Sequence, residues 1–304
     1  MTRLCGFLFL SLCGVALPVA SAEGVASVLS RQDSPERAQS FKARCALSAD
    51  EAKWQIDLIN FRAHGNRSKT FGVRSSNGRT FGFCELFAFF ALEVNGIPDW
   101  KLQLDPARCR ELAEGESRGV EYFLDFDGAW VRTRFWMTPD SPTLEGEVRC
   151  ARQGLSPATN LVVRIGAAPS VVERLASGGW RFGGYRRFAQ TRVRRIGPFA
   201  TRQFVDIQPQ DGFVVLGDCD ADGAEEGQGN GPVAVLLEDE TPGQVEVGPG
   251  WMVKLVLRPS PTKAFRFSLL EFSDRRLSND AFIRRVREIA DRADARTFEQ
   301  EDNR

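Results

Sequence analysis

The sequence predicts a mostly-β protein: a large antiparallel β-sandwich closed by one C-terminal α-helix. Short apolar stretches recur along most of the chain, separated by Gly, Pro and Asp turns. Residues 120–150 alternate apolar and polar side chains over three consecutive segments, and only the C-terminal end carries a clear 3.6-residue stripe. Many short strands divided by turns favour a sandwich over an α/β fold.

The chain has 304 residues and opens with Arg3, an apolar run from Leu4 to Val19 broken by Pro18, and the small-x-small triplet Ala20-Ser21-Ala22. That order predicts an export signal over residues 1–22, cleaved to leave Glu23 at the mature N-terminus. A membrane anchor is disfavoured because the run stops short of the roughly 20 residues that span a bilayer. A lipoprotein is disfavoured because Leu12 stands before Cys13. The product is expected to be secreted or periplasmic, with no membrane insertion after cleavage. Lys plus Arg equals Asp plus Glu at 40 each, so the chain has no global attraction for nucleic acid, and none is expected as a partner. Cys45, Cys84, Cys109, Cys150 and Cys219 remain after cleavage. Their wide spacing fits buried thiols as well as two disulfides, and His64 as the single histidine gives little support to zinc.

Residues 23–48 are polar without clear periodicity and read as a linker or N-terminal arm; 49–275 form the sandwich, and 276–304 the terminal helix and tail. Within the sandwich, Trp54 to Leu58 alternates. Phe81 to Val94 reads as a strand ending in an Asn95-Gly96 hairpin turn, although its phenylalanines also fit helical spacing. Pro106 to Glu114 reads as a short helical insertion. Val120–Phe126, Ala129–Thr138 and Thr143–Cys150 form a meander, turned at Asp127-Gly128 and at Pro139 to Pro142. Further strands are expected near 160–165, 212–216, 233–237, 245–247, 252–257 and 264–272. Phe282, Val286, Ile289 and Ala293 form the helix stripe, with Ser278 or Asn279 as N-cap, and the helix is expected on the sandwich edge.

Four motifs bear on chemistry. Gly115-Glu116-Ser117-Arg118-Gly119 matches G-x-S-x-G, but a nucleophile elbow needs strand before and helix after, and a histidine downstream; none of these is present. Asp218-Cys219-Asp220-Ala221-Asp222-Gly223 matches the first half of a calcium loop, whose alternate aspartates would offer oxygens to a hard cation. Gly229 stands where an EF-hand has its bidentate glutamate. No cofactor is required, and weak calcium binding at Asp218, Asp220 and Asp222 is the expectation beside an acidic surface loop. From Arg181 to Arg202 seven arginines alternate with aromatics and no acid intervenes. Arg186 and Arg187 there could recognise carboxylate or sulfate, or lie on a solvated face.

The fourth motif is the meander in register. A two-residue turn at Asp127-Gly128 sets Glu121 against Arg134 and Phe123 against Arg132. A four-residue loop next sets Arg134 against Glu147, Trp136 against Glu145, and Arg132 against Arg149. One face is then apolar, and the other carries Glu121, Trp130, Arg132, Arg134, Trp136, Glu145 and Glu147. Tryptophans beside charged forks suit sugar rings and their hydroxyls. Glu121 and Glu147 would stand about 9 to 10 Å apart, near the separation inverting glycosidases use. Arg134 between them would lower both pKa values and spoil a general acid. The plain alternative is a salt-bridge ladder.

The strand rhythm from Glu121 onward, with Trp136-Met137-Thr138-Pro139-Asp140-Ser141-Pro142-Thr143-Leu144-Glu145 within it, resembles the galactose mutarotase-like superfamily of large β-sandwiches. The resemblance implies a carbohydrate-active fold. Mutarotases work with several histidines, so no catalytic residue carries over. The leading expectation is an exported sandwich that binds or processes carbohydrate, acidic polysaccharide among the partners. A second is a polysaccharide lyase acting on uronic acids, with Arg187 or a neighbour neutralising the carboxylate and Tyr185 or His64 moving the proton. A third is a structural envelope protein. A cleft joining His64, Tyr185 and the arginines would favour the lyase, and an open surface over Trp130 and Trp136 the binder.

Overall fold

A computed structural model describes residues 26–33, 41–48, 53–60, 71–76, 89–139, 141–150, 159–174, 177, 180–183, 186–221, 231–237, 241–249, 252–271 and 277–302. The proposed signal segment and His64, Tyr185, Cys84 and Asp222 lie outside the described residues. In chain order the first strands are β1 (Ala26–Asp33), β2 (Phe41–Ser48), β3 (Lys53–Asn60), β4 (Phe71–Ser76), β5 (Phe90–Val94), β6 (Ile97–Pro98), β7 (Cys109–Glu114), β8 (Ser117–Phe126), β9 (Ala129–Met137) and β10 (Leu144–Cys150). They are followed by β11 (Leu161–Ala167), β12 (Val171–Arg174), β13 (Trp180–Gly183), β14 (Arg187–Thr191), β15 (Arg195–Ile196) and β16 (Gln203–Ile207). The chain continues with β17 (Phe213–Asp218), β18 (Val233–Leu237), β19 (Gly243–Val247), β20 (Val253–Leu257), β21 (Phe265–Leu270) and the helix α1 (Asn279–Asp302).

The fold is the mostly-β sandwich the sequence predicts. One ten-stranded sheet runs β1-β2-β3-β4-β5-β11-β20-β19-β16, with β6 paired to β5; one nine-stranded sheet runs β15-β14-β17-β18-β21-β10-β9-β8-β7. β12 and β13 pair by themselves. The inner faces meet over an aromatic centre. Phe90 lies edge-on to Phe135 at 5.2 Å and stacked with Phe267 at 5.8 Å, and Phe265 stacks on Phe267 at 5.4 Å. Gly146, opposite both Phe135 and Phe267, leaves room for this, because a Cβ there would collide with the Phe267 ring.

The meander forms as its turns dictate. Asp127 (φ 55°) and Gly128 (φ 89°) adopt the left-handed pair that a two-residue hairpin requires, and the Gly128 amide donates to Asp125 Oδ1 at 2.7 Å. Glu121 faces Arg134, Arg134 faces Glu147, Trp136 faces Glu145 and Arg132 faces Arg149, as the turn lengths require. Asn95 (φ 49°) and Gly96 (φ 80°) likewise make the turn from β5 to β6.

Three expectations are corrected. Residues 26–33 and 41–48 are strands, where a linker or loosely docked arm was expected; β2 alternates buried Cys45 and Leu47 with exposed Ala46 and completes the sheet beside β3. Pairing with a sheet outweighs weak local pattern there. Of the insertion expected as a helix, only Pro106–Arg108 is helical, as one 3₁₀ turn. Cys109–Glu114 pairs with β8 through a tight turn at Gly115, which supplies the backbone hydrogen bonds a helix would otherwise make. The same turn and strand place Gly115 to Gly119 in a hairpin, far from an elbow.

The helix is the third correction. It lies on the outer face of the nine-stranded sheet instead of its edge: Phe282, Ile283, Val286 and Ala290 cover Phe188, Phe213, Val215, Ala234, Leu236 and Leu270. Ser278 caps it by accepting from the Ala281 amide at 3.2 Å. The Asn279 side chain instead donates to the Asp218 carbonyl at 3.1 Å, and Arg192 pairs with Asp291 at 3.3 Å. Among the described residues no helix is long and apolar enough to cross a membrane.

Candidate functional site

Among the described residues, the helix covers β14, β17, β18 and part of β21. Over the rest of the nine-stranded sheet the outer face is polar, and register builds it row by row. One row crosses five strands as Arg266, Glu147, Arg134, Glu121 and Arg110, with the sign of the charge alternating at every step. Glu121 is fully buried and receives Arg134 Nε at 2.6 Å and Arg110 Nε at 2.5 Å. Glu147 receives Arg132 Nη2 at 2.6 Å and Arg266 Nε at 3.1 Å. Arg132, one row along, also stands 3.8 Å from Glu121 and so bridges the two carboxylates.

Electrostatics follows from this packing. Burial alone would push the pKa of Glu121 up, but the Arg134 and Arg110 guanidiniums outweigh it and hold the carboxyl below its usual range. Burial is likewise outweighed at Glu147, by Arg132 and Arg266. Glu145 differs: burial raises its pKa, and the hydrogen bonds from Ser268 and Thr143 do not compensate. Glu121 and Glu147, two strand spacings or roughly 10 Å apart, are therefore both held ionised, and neither suits the role of general acid. With folded pKa values below the ordinary 4.3 or so, their stabilisation is complete above that value and is lost as pH falls through the lowered values. Glu145 acts in the opposite sense, favouring the fold at low pH and less as pH rises through its raised value. Two clamped carboxylates against one predict that melting temperature drops between pH 7 and pH 3; an unchanged value across that range would contradict the clamp.

Trp130 and Trp136 both lie half-buried on this face. Six residues apart on β9, they are separated by roughly 20 Å, with Arg132 and Arg134 between them. One face of the Trp130 ring is covered by the Arg108 guanidinium, 4.5 Å from its centroid. Arg110 and Arg266, at the two ends of the charged row, are 67% and 56% exposed and keep donors turned to solvent. Sequence reasoning missed both. Arg110 sits in the segment expected to be helical, and Arg266 reaches Glu147 across 119 residues of chain.

The arginine run does not join this face. Arg187 is fully buried, donating at 2.8 Å to Ser170, which donates at 2.7 Å to Asp218. Arg186 is exposed and pairs with Asp220 at 3.3 Å, Arg194 pairs with Asp211 at 2.9 Å, and Arg202 with Glu246 at 2.8 Å. The first two aspartates of the acidic loop are thus engaged by the protein itself, the Asp220 amide also donating to Asp218 at 2.9 Å. Among the described residues no group of three or more His, Cys, Asp or Glu could hold a metal ion. Cys45, Cys109 and Cys150 are buried, and burial pushes the Cys45 thiol up to about 12 and the Cys150 thiol to about 11.

No protein-family model matches the chain, and no curated protein does. Among solved structures it is similar to the GH36 alpha-galactosidase AgaB from Geobacillus stearothermophilus, at 11% identity and a TM-score of 0.43, covering 81% of this chain and 41% of that one. The galactosidase domain of the alpha-galactosidase-sucrose kinase AgaSK is similar at 9% identity and 0.42, over 81% and 42%. The alpha-galactosidase from Lactobacillus brevis is similar at 9% and 0.38, over 82% and 40%. The chain thus spans well under half the length of each of these enzymes.

Proposed function

We propose that this chain is an exported carbohydrate-binding protein whose binding surface is the open half of the nine-stranded sheet's outer face, and that it holds acidic polysaccharide there without cleaving it. The observation that carries the reading is the division of that face by α1: the apolar half is covered, and the open half presents two tryptophans on either side of a guanidinium-rich row. The row holds three arginines to two glutamates, and its outermost arginines are exposed. Spare guanidinium donors suit carboxylate or sulfate groups, and indole faces suit the C–H faces of sugar rings. Export rests on the leader-like sequence before Glu23. Burial of Arg187 withdraws it from the role of neutralising a uronate in the lyase reading and leaves that role to its exposed neighbour Arg186, which is paired with Asp220.

Replacing both Trp130 and Trp136 with Ala is expected to abolish retention on an immobilised acidic polysaccharide while the melting temperature stays within a few degrees. Retention by the parent should weaken with added salt, because the exposed contacts are screened. A stable double variant that is retained like the parent would remove this face as the site.

A further inference from the structure

A second row crosses the same face at the foot of the helix: Leu236, Ser268, Glu145, Trp136 and Gly119, each opposite the next. Leu236 belongs to the cluster under α1, so the row runs from covered to open surface. Its carboxylate is treated differently from those of the charged row. Glu145 Oε2 accepts from Ser268 Oγ at 2.5 Å and Oε1 from Thr143 Oγ1, itself in contact with Ser141 Oγ. Among the described residues no guanidinium lies within ion-pair distance of it. Glu145 is half-buried beside the indole directly opposite, and on the far side of that indole Gly119 brings no side chain. A Cβ at Gly119 would collide with the backbone of the facing strand, at the Phe135 carbonyl oxygen and at Trp136 Cα, 2.7 Å away.

The two rows therefore offer opposite hydrogen-bonding character. The charged row presents donors, since arginine has no acceptor. The Glu145 row presents acceptors, because each carboxylate oxygen keeps a lone pair beyond its one hydroxyl partner. An indole face beside a carboxylate that is not neutralised by a cation is the complement of an uncharged sugar ring: the C–H face stacks, and two neighbouring hydroxyls donate to the oxygens. A sulfate or uronate meets no guanidinium there among the described residues.

We infer that Trp136 and Glu145 form a subsite for a neutral pyranose with adjacent hydroxyls, distinct from the guanidinium row that takes the acidic residues of the same polymer. The inference rests on the carbohydrate-binding reading and names what one end of that surface holds.

The test is a glycan array carrying neutral hexose oligosaccharides and uronate- or sulfate-bearing ones, probed with the parent, Glu145→Ala, Glu145→Gln and Arg110→Ala. Glu145→Ala is expected to lose about tenfold or more in affinity for the neutral oligosaccharides, as loss of two hydrogen bonds at roughly 1 kcal/mol each implies. Its affinity for the acidic ones should hold. Glu145→Gln, which preserves volume, should weaken the neutral set in the same direction, and Arg110→Ala should weaken only the acidic set. A parent that binds acidic glycans alone, or neutral binding untouched in both Glu145 variants, overturns the subsite and leaves the wider reading standing. A parent that binds no glycan of either kind overturns both.

Discussion

Glu121→Gln is expected to cost about 3 kcal/mol of stability, the scale of removing one partner from a buried charged cluster. The carboxylate is fully buried with three guanidiniums within 4 Å of it, at 2.5, 2.6 and 3.8 Å. An amide in its place would turn N–H donors toward guanidiniums that have only donors. Surface ion pairs contribute about 0–1 kcal/mol, and Arg110, which is largely exposed, can return to water. The cost therefore falls at the lower end of the range for breaking buried pairs. Urea unfolding at neutral pH measures it, and a loss under about 1 kcal/mol would show the row to be an ordinary surface ladder. The difference between parent and variant should also narrow as pH falls, because protonating Glu121 removes what the variant lacks.

Phe135→Ala is expected to cost more, about 4 kcal/mol, as a large aromatic removed from a close-packed core. Phe135 is fully buried and touches Phe89 at 5.9 Å, Phe90 at 5.2 Å and Phe267 at 6.3 Å, the last two edge-on, so that the loss is felt in both sheets. The neighbouring outward residue Arg134 belongs to the charged row, and its pairing depends on β9 holding position. A cavity behind the strand is therefore expected to loosen the face as well as the core, and the variant's glycan retention should fall in step with its stability. Full stability in the variant would mean that the ring is dispensable to the stacking of the sheets.

The meander was legible in the sequence down to single cross-strand pairs because turn length fixes register and period-2 alternation fixes the face. Trp130, Arg134, Trp136, Glu121 and Glu147 share one face for that reason. What was not legible depends on contacts between distant parts of the chain. Nothing local to Arg266 marks it as a partner of Glu147, and nothing in the apolar stripe of α1 says whether it will meet an edge or a face. The N-terminal strands were missed because residues 23–48 are too polar to declare themselves before a neighbouring strand is there to pair with. Arg187 was misjudged for the converse reason: its run looks solvated, yet Ser170 and Asp218, far apart in sequence, gather around it in the interior.

The position of α1 also shapes the surface as terrain. Where it lies, the described residues are three layers deep; beyond Ser268 they are two. A helix stands about 10 Å high with its side chains, so the open half of the sheet ends on that side in a ledge, with Glu145 and Trp136 near its base. A polymer resting on this face thus meets a wall along one margin, and a flat sheet that would otherwise leave a flexible chain free to slide acquires a direction in which it cannot spread.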